Sequence, residues 1–288
     1  MTWNPMRFVI QHPAMLPQHL QALSAIAQAH AFTRINADAY YLKFDSEPQA
    51  PLLLRLRAYC AEHGLDCALV PDSQTLQHFG LAVMDMDSTL ISIECIDEIA
   101  DMCGLKKEIS MVTESAMRGE IEFAESLRQR VALLKGLEES ALQRVIDERL
   151  TLNPGALQWI QACKQHGITT LLVSGGFDFF AERVRAMTGI DHIRANTLEI
   201  VDHRLTGKVL GHIIDGQAKA DSLIGLRDQL GLQASQVIAI GDGANDLKMM
   251  SVAAVGVAYH AKPIVQQQAT YALNQMGLDG IANLFTVI

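Results

Sequence analysis

Four groups of residues in the 288-residue chain carry side chains able to do chemistry. Asp85-Met86-Asp87-Ser88-Thr89 sets two carboxylates one residue apart. Such a pair repels itself unless a cation or a proton is present, so it serves either as metal ligands or as a nucleophile with an acid/base partner. Gly241-Asp242-Gly243-Ala244-Asn245-Asp246 adds two more acids. Four hard carboxylates without His or Cys ligand spacing suit Mg²⁺. The Gly-Asp-Gly is not a dinucleotide fingerprint, because the third glycine is missing and it stands late in the chain. Ser174-Gly175-Gly176 offers a hydroxyl and close-approaching backbone N–H groups that can cradle a phosphate. It is not a nucleophile elbow, since Leu172 occupies the position where that motif needs glycine. Lys219 stands just before an apolar helical stretch (Leu223, Leu226, Leu230) and is a candidate counter-charge. Each motif alone has an ordinary reading: a helix cap, a Gly-Asp turn, a plain turn, a solvated lysine. Their coincidence is what carries the argument.

The elements that must position them are legible nearby. Leu81–Met84, Thr169–Val173 and Val237–Ile240 are short apolar runs that end in the first, third and second of these groups, and Ala254–Val257 is a weaker fourth. Continuous apolar runs alternating with helical segments imply a buried, mostly parallel, doubly wound α/β sheet. Ligands bind such sheets outside the carboxyl ends of the strands, where all these clusters fall. The span from about Ser92 to Asn153 is nearly free of glycine and proline and carries helical apolar stripes (Ile96, Ile99, Ala100; Leu127, Val131, Leu134). It is far longer than a simple crossover needs and reads as a helical cap inserted over the site. After Asn196, Leu198–Val201 and Lys208–His212 predict a hairpin.

The first ~75 residues form a separate pattern. Strands are expected at Met6–Gln11, Thr33–Ala37, Tyr40–Phe44 and Cys67–Val70, with helices around Leu20–Ala27 and Pro51–His63. That β-α-β-β-α-β order predicts a small ferredoxin-like α+β module. Its histidines (His12, His19, His30, His63) read as isolated surface or packing residues. The domain expectation is therefore a module over 1–77, a core over 78–91 and 153–288, and a cap over 92–152.

Composition narrows the function classes. Hydrophobic residues make up 49% and charged residues 19%, enough for a real core. Net charge is −9, which argues against a nucleic-acid partner. Five cysteines without paired spacing argue against a disulfide framework or structural zinc and fit a reducing compartment. No basic segment followed by an apolar one opens the chain, and no run approaches ~18 apolar residues, so a soluble cytoplasmic protein without a membrane partner is expected.

The motifs, in this order, resemble the haloacid-dehalogenase-like phosphatases, which carry a DxD motif, a Ser/Thr after the second strand, a Lys and a GDxxxD motif. The resemblance runs from about Phe79 to the end. DMDSTLISIECIDEIA, EFAESLRQRVALLKG, VSGGFD and GDGANDLKM are most similar to the members acting on free phosphoserine. The first module resembles, on pattern, an ACT-like regulatory domain. The resemblance implies a Mg²⁺-dependent hydrolysis of O-phospho-L-serine to L-serine and phosphate, the last step of L-serine biosynthesis. It implies Asp85 as nucleophile forming an aspartyl-phosphate and Asp87 as acid/base. Mg²⁺ would lie on Asp85, the Asp87 carbonyl and Asp242, and Asp246 would orient Lys219 or the metal's water. Ser174, Gly175, Lys219 and Asn245 would hold the phosphate. Glu94 and Arg130 would meet the substrate's ammonium and carboxylate, and Met117 and Phe123 would shield the site. Alternatives are a phosphatase for another small ester and, in another class, a phospho-aspartate switch. For the first module, binding serine as a feedback ligand, forming a homodimer and simply packing on the core all remain open.

Overall fold

Leu81 to Met84 alternate between two buried faces, which is why the run is apolar throughout. In this computed structural model, which describes residues 4–28, 32–44 and 46–288, Ala82 and Met84 join one cluster with Trp159, Ile160 and Phe180. Leu81 and Val83 join another with Leu223 and Met249. A strand buried on both faces is the signature of a sheet covered by helices on each side.

The first module holds β1 (Met6–Gln11), α1 (Pro17–Ala27), β2 (Thr33–Arg34), β3 (Ala39–Lys43), α2 (Ala50–Glu62) and β4 (Asp66–Pro71). Its antiparallel sheet has the order β2-β3-β1-β4, the ferredoxin-like arrangement expected from the pattern. The middle strand is shorter than Thr33–Ala37. Phe8 and Ile10 of β1 face the helices with Leu23 and Leu56, whereas Val9 faces the core with Tyr41 and Phe79. Arg7 and Gln11 share that second face. Arg7 is fully buried and donates to the carbonyls of Pro71, Gln74 and Leu284. Asp66 accepts from the backbone N–H groups of Asn274, Gln275 and Met276 at 2.8–3.0 Å. His19, Tyr59 and His63 are not isolated: their rings pack together between the two helices, with centroids 4.2–6.0 Å apart. His30 lies outside the described residues.

The core sheet has seven strands. After β5 (Leu81–Met84) the chain leaves into four helices, α3 (Cys95–Met102), α4 (Lys106–Met117), α5 (Phe123–Leu133) and α6 (Glu139–Glu148). These occupy the span read as a cap. The chain returns through α7 (Ala156–Gln165), β6 (Thr169–Phe177), α8 (Asp178–Thr188), β7 (His192–Val201), β8 (Arg204–Leu210), α9 (Gly216–Gln229) and β9 (Val237–Gly241). It closes with α10 (Leu247–Ser251), β10 (Val255–Tyr259), α11 (Pro263–Gln268), β11 (Tyr271–Leu273) and α12 (Gly280–Phe285). The order is β11-β10-β9-β5-β6-β7-β8, parallel except for the β7/β8 pair. The hairpin differs from expectation in two ways. Its turn is only Asp202-His203, both with positive φ, and its first strand begins early enough to pair in parallel with β6. The hairpin then reaches the cap: Gly136 and Glu139 N–H groups donate to the carbonyls of Leu205 and His203.

Candidate active site

The central strand β5 lies between β9 and β6, so the three loops bearing the acid, glycine and serine motifs open side by side at one sheet edge. They and the cap enclose a cavity of about 270 Å³. Asp85, Asp87, Ser174, Gly175, Gly176, Asp242 and Asn245 line it from the core. Glu94, Ile96, Phe123, Leu127 and Arg130 line it from the cap side. Phe123, Leu127 and Arg130 fall at i, i+4 and i+7 of α5, which is why one helix face delivers all three.

Asp85 is buried. Its Oδ1 accepts the Met86 N–H at 2.8 Å and lies 2.7 Å from Lys219 Nζ. Lys219 is also buried, 1% exposed, and lies 2.8 Å from Asp246 Oδ1. It therefore stands behind Asp85 rather than on the cavity wall, and the usual solvated-lysine reading fails. Asp246 holds its other oxygen on the Gly243 N–H at 3.0 Å. Asp242 accepts from Thr89 Oγ1 at 3.0 Å. Asp87 accepts from the Cys95 N–H at 3.3 Å. A Cβ at Gly176 would sit 2.5 Å from Asp87 Oδ2, so glycine is what lets these two loops meet. The Ser174-Gly175-Gly176 loop is held by buried Asn196, whose Nδ2 donates to the Gly175 carbonyl and whose Oδ1 accepts from the Ile214 N–H, both at 2.8 Å.

The electrostatics are those of a site with surplus negative charge. Burial, then Asp246, raises Asp85 well above the usual carboxylate range. Burial, with the Asp242 charge adding to it, pushes Asp87 up to about 6. Withdrawal from water and then the Asp87 charge push Glu94 up to about 7, although over a third of its surface stays open at the cavity mouth. Burial works against the Lys219 charge, but Asp85 and Asp246 outweigh it and raise its pKa, so it keeps its proton. Five carboxylates thus face two cations, Lys219 and Arg130. Carboxylate oxygens of Asp85, Asp242 and Asp246 lie within 4.8 Å of one another. A hard all-oxygen donor set with uncompensated charge fits a divalent cation.

Of the residues singled out by sequence, Lys219 and Asp246 lie behind the cavity wall on Asp85, and Met117 does not line the cavity either. Met117 ends α4 with 71% of its surface exposed. The acids gathered closest are Asp85, Asp242 and Asp246, whereas Asp87 lines the cavity outside that cluster. Sequence reasoning passed over Ile96, Leu127, Phe177, Thr89 and Asn196 as site residues. Thr89 stood within the first motif and Asn196 beside the hairpin, but nothing local shows that they hold Asp242 and Gly175.

Comparison with known proteins bears on the whole chain. A family model for haloacid dehalogenase-like hydrolases matches residues 82–251. A phosphoserine phosphatase of Polaromonas sp. (strain JS666) is 53% identical over 214 residues, covering 73% of this chain and 91% of that protein. The crystal structure of a probable phosphoserine phosphatase of Vibrio cholerae superposes with a TM-score of 0.84 at 36% identity, over 97% of this chain and 86% of that one. That of a HAD family hydrolase of Salmonella enterica serovar Typhi superposes at 0.89 and 30% identity, over 98% and 99%. Among the described residues no helix is long and apolar enough to cross a membrane. With a family model over more than half its length and relatives of this identity and coverage, the chain belongs to the phosphoserine phosphatase family of haloacid dehalogenase-like hydrolases.

Proposed function

We propose that the protein hydrolyses O-phospho-L-serine to L-serine and phosphate, the last step of L-serine biosynthesis. The observation that carries this reading is the composition of one small cavity. Its floor holds the paired acids and the serine-glycine cradle, and its cap wall holds Arg130 and Glu94, one base and one acid for a zwitterionic leaving group. Among the described residues Arg130 donates only a long Nε contact, to the Ser126 carbonyl at 3.4 Å, so the fork of its guanidinium is available for a carboxylate.

In this mechanism a carboxylate oxygen of Asp85 attacks phosphorus and the serine oxygen leaves, giving an aspartyl-phosphate. Asp87 carries the proton that the departing alkoxide takes, and its raised pKa of about 6 gives it a larger protonated fraction than an ordinary carboxyl. Asp87 then takes a proton from the water that cleaves the acyl phosphate. Ser174 Oγ and the Gly175 N–H hold phosphate oxygens, with Asn245 on the same side, and Lys219 supplies its charge from behind Asp85. Asp246 keeps Lys219 aimed at Asp85. Phe123 shields the cavity, and the resemblance assigns Met117 to the same task when α4 lies over it. Asp85, the Asp87 carbonyl and Asp242 would hold Mg²⁺, which when bound offsets the repulsion between a carboxylate nucleophile and a phosphate dianion. The described cysteines are all free, in keeping with a reducing cytoplasm.

The test is phosphate release from L-phosphoserine, L-phosphothreonine, a sugar phosphate and an aryl phosphate, with Mg²⁺ and with excess EDTA. Mg²⁺-dependent preference for L-phosphoserine is expected. Broad or sugar-selective release would remove the substrate assignment, and stable phosphorylation without release would favour a phospho-aspartate switch.

A further inference from the structure

The turn after β5 is broken where it matters most. Asp87 is extended (φ −63°, ψ 136°) and Ser88 is left-handed (φ 55°), so the helical turn Met86–Leu90 is interrupted at these two residues. A non-glycine residue in that region costs about 1–3 kcal/mol unless its surroundings fix it. An interrupted turn also leaves carbonyls in need of donors.

Asn153 supplies them. Its Nδ2 donates to the Thr89 carbonyl at 2.8 Å and the Ile91 carbonyl at 3.1 Å, and lies 3.4 Å from that of Ser88. Its backbone N–H donates to the Leu90 carbonyl at 2.9 Å. Every group facing the amide is an acceptor, so nitrogen and not oxygen must point inward. Asn153 also ends the return path from the cap. The Ser92 N–H donates to the Thr151 carbonyl at 3.0 Å, and Ile91 bridges Leu152. The outgoing and returning strands are thus joined, and the joint finishes on the turn that carries Asp87 and Ser88.

We propose that Asn153 is a positioning residue for the reaction. It holds the broken turn so that Asp87 faces the leaving oxygen and Ser88 Oγ reaches Glu94 Oε1, 2.7 Å away. Asn153 itself touches none of this chemistry: it lies outside the active cavity and lines a separate crevice between the first module and the core. This rests on the phosphatase reading above.

The experiment compares kcat/KM of wild type, Asn153→Ala and Asn153→Asp on L-phosphoserine and on an aryl phosphate, with thermal unfolding of each. A phenolate leaves without a proton and needs no ammonium partner, whereas a serine alkoxide needs both. Misplacing the turn should lower kcat/KM for phosphoserine about 10–100-fold, part of what a general acid supplies, and for the aryl ester less than about threefold. Asn153→Asp, isosteric but without the donor and repelled by the carbonyls, should lose more than Asn153→Ala. If Asn153→Asp does not fold, the same ratio in Asn153→Ala decides. With both esters assayed at saturating Mg²⁺, equal losses, or none, would overturn the positioning role while leaving the phosphatase reading intact. A wild-type chain inactive on phosphoserine would overturn both.

Discussion

Arg130→Ala offers the sharpest test of the substrate. In the structure the guanidinium is half-buried on the cap wall, with Asp97, Glu94 and Asp87 near enough to oppose the burial that lowers its pKa. No carboxylate lies within salt-bridge distance of it among the described residues, so truncation removes little from the protein itself. What it removes is a planar, two-pronged donor for the substrate carboxylate. A hydrogen bond to a charged group contributes about 1.5–3 kcal/mol, so a bidentate pair contributes about 3–6 kcal/mol. The side chain is partly open to water, and screening reduces that to about 2–4 kcal/mol. At 1.36 kcal/mol per decade, kcat/KM for L-phosphoserine should fall about 30–1,000-fold. An aryl phosphate has no carboxylate to lose, and its kcat/KM should change less than about threefold. Initial rates of phosphate release on both esters, for wild type and variant in parallel, give the ratio directly. Equal losses on the two substrates would refute the reasoning, because they would mean that Arg130 supports the phosphoryl chemistry or the fold rather than recognition.

The metal-free site has a pH signature. Asp87 and Glu94 have folded pKa values raised to about 6 and about 7, so the folded state binds more protons than the unfolded one between pH ~4 and ~7 and stability falls as pH rises through that window. For Asp87 the loss is on the order of 3 kcal/mol at most. Mg²⁺ should therefore raise the unfolding temperature relative to EDTA more at pH 7.5 than at pH 5, and an equal or opposite difference would contradict the charge argument. Lys219→Met leaves Asp85 and Asp246 buried without their partner, and should destabilise the chain by about 3–5 kcal/mol in chemical unfolding. A variant as stable as wild type would show those carboxylates to be neutral. Asp66→Ala removes the acceptor for three N–H groups of residues 274–276 and should cost about 2–4 kcal/mol, read as faster hydrogen exchange there and in α12. Unchanged exchange would mean that apolar contacts alone dock the first module.

The sequence by itself determined the chemistry and its frame. The strand-end clusters at Asp85, Ser174 and Asp242 were readable because a parallel sheet exposes its carboxyl edge and because apolar runs broken by acids or glycines mark that edge. Helical spacing gave a helical insertion with two apolar stripes, and the structure resolved it into four helices with Phe123 and Arg130 on one face of α5. The tertiary structure decided everything that depends on pairing between distant segments. Strand order sets β9 and β6 against β5, and only that brings Asp242 and Ser174 to Asp85. Burial turned Lys219 from an ordinary helix lysine into the charge paired with Asp85 and Asp246. Asn153, Asn196 and Thr89 became positioning groups because buried carbonyls, amides and carboxylates must find partners, and those partners lie 18 to 153 residues away. Arg7 and Asp66 join the first module to the last helix and the loop before it across more than 200 residues, for the same reason. Local periodicity records which face of an element is apolar. It holds no record of which distant polar group that face will bury, because that is settled only when the layers close.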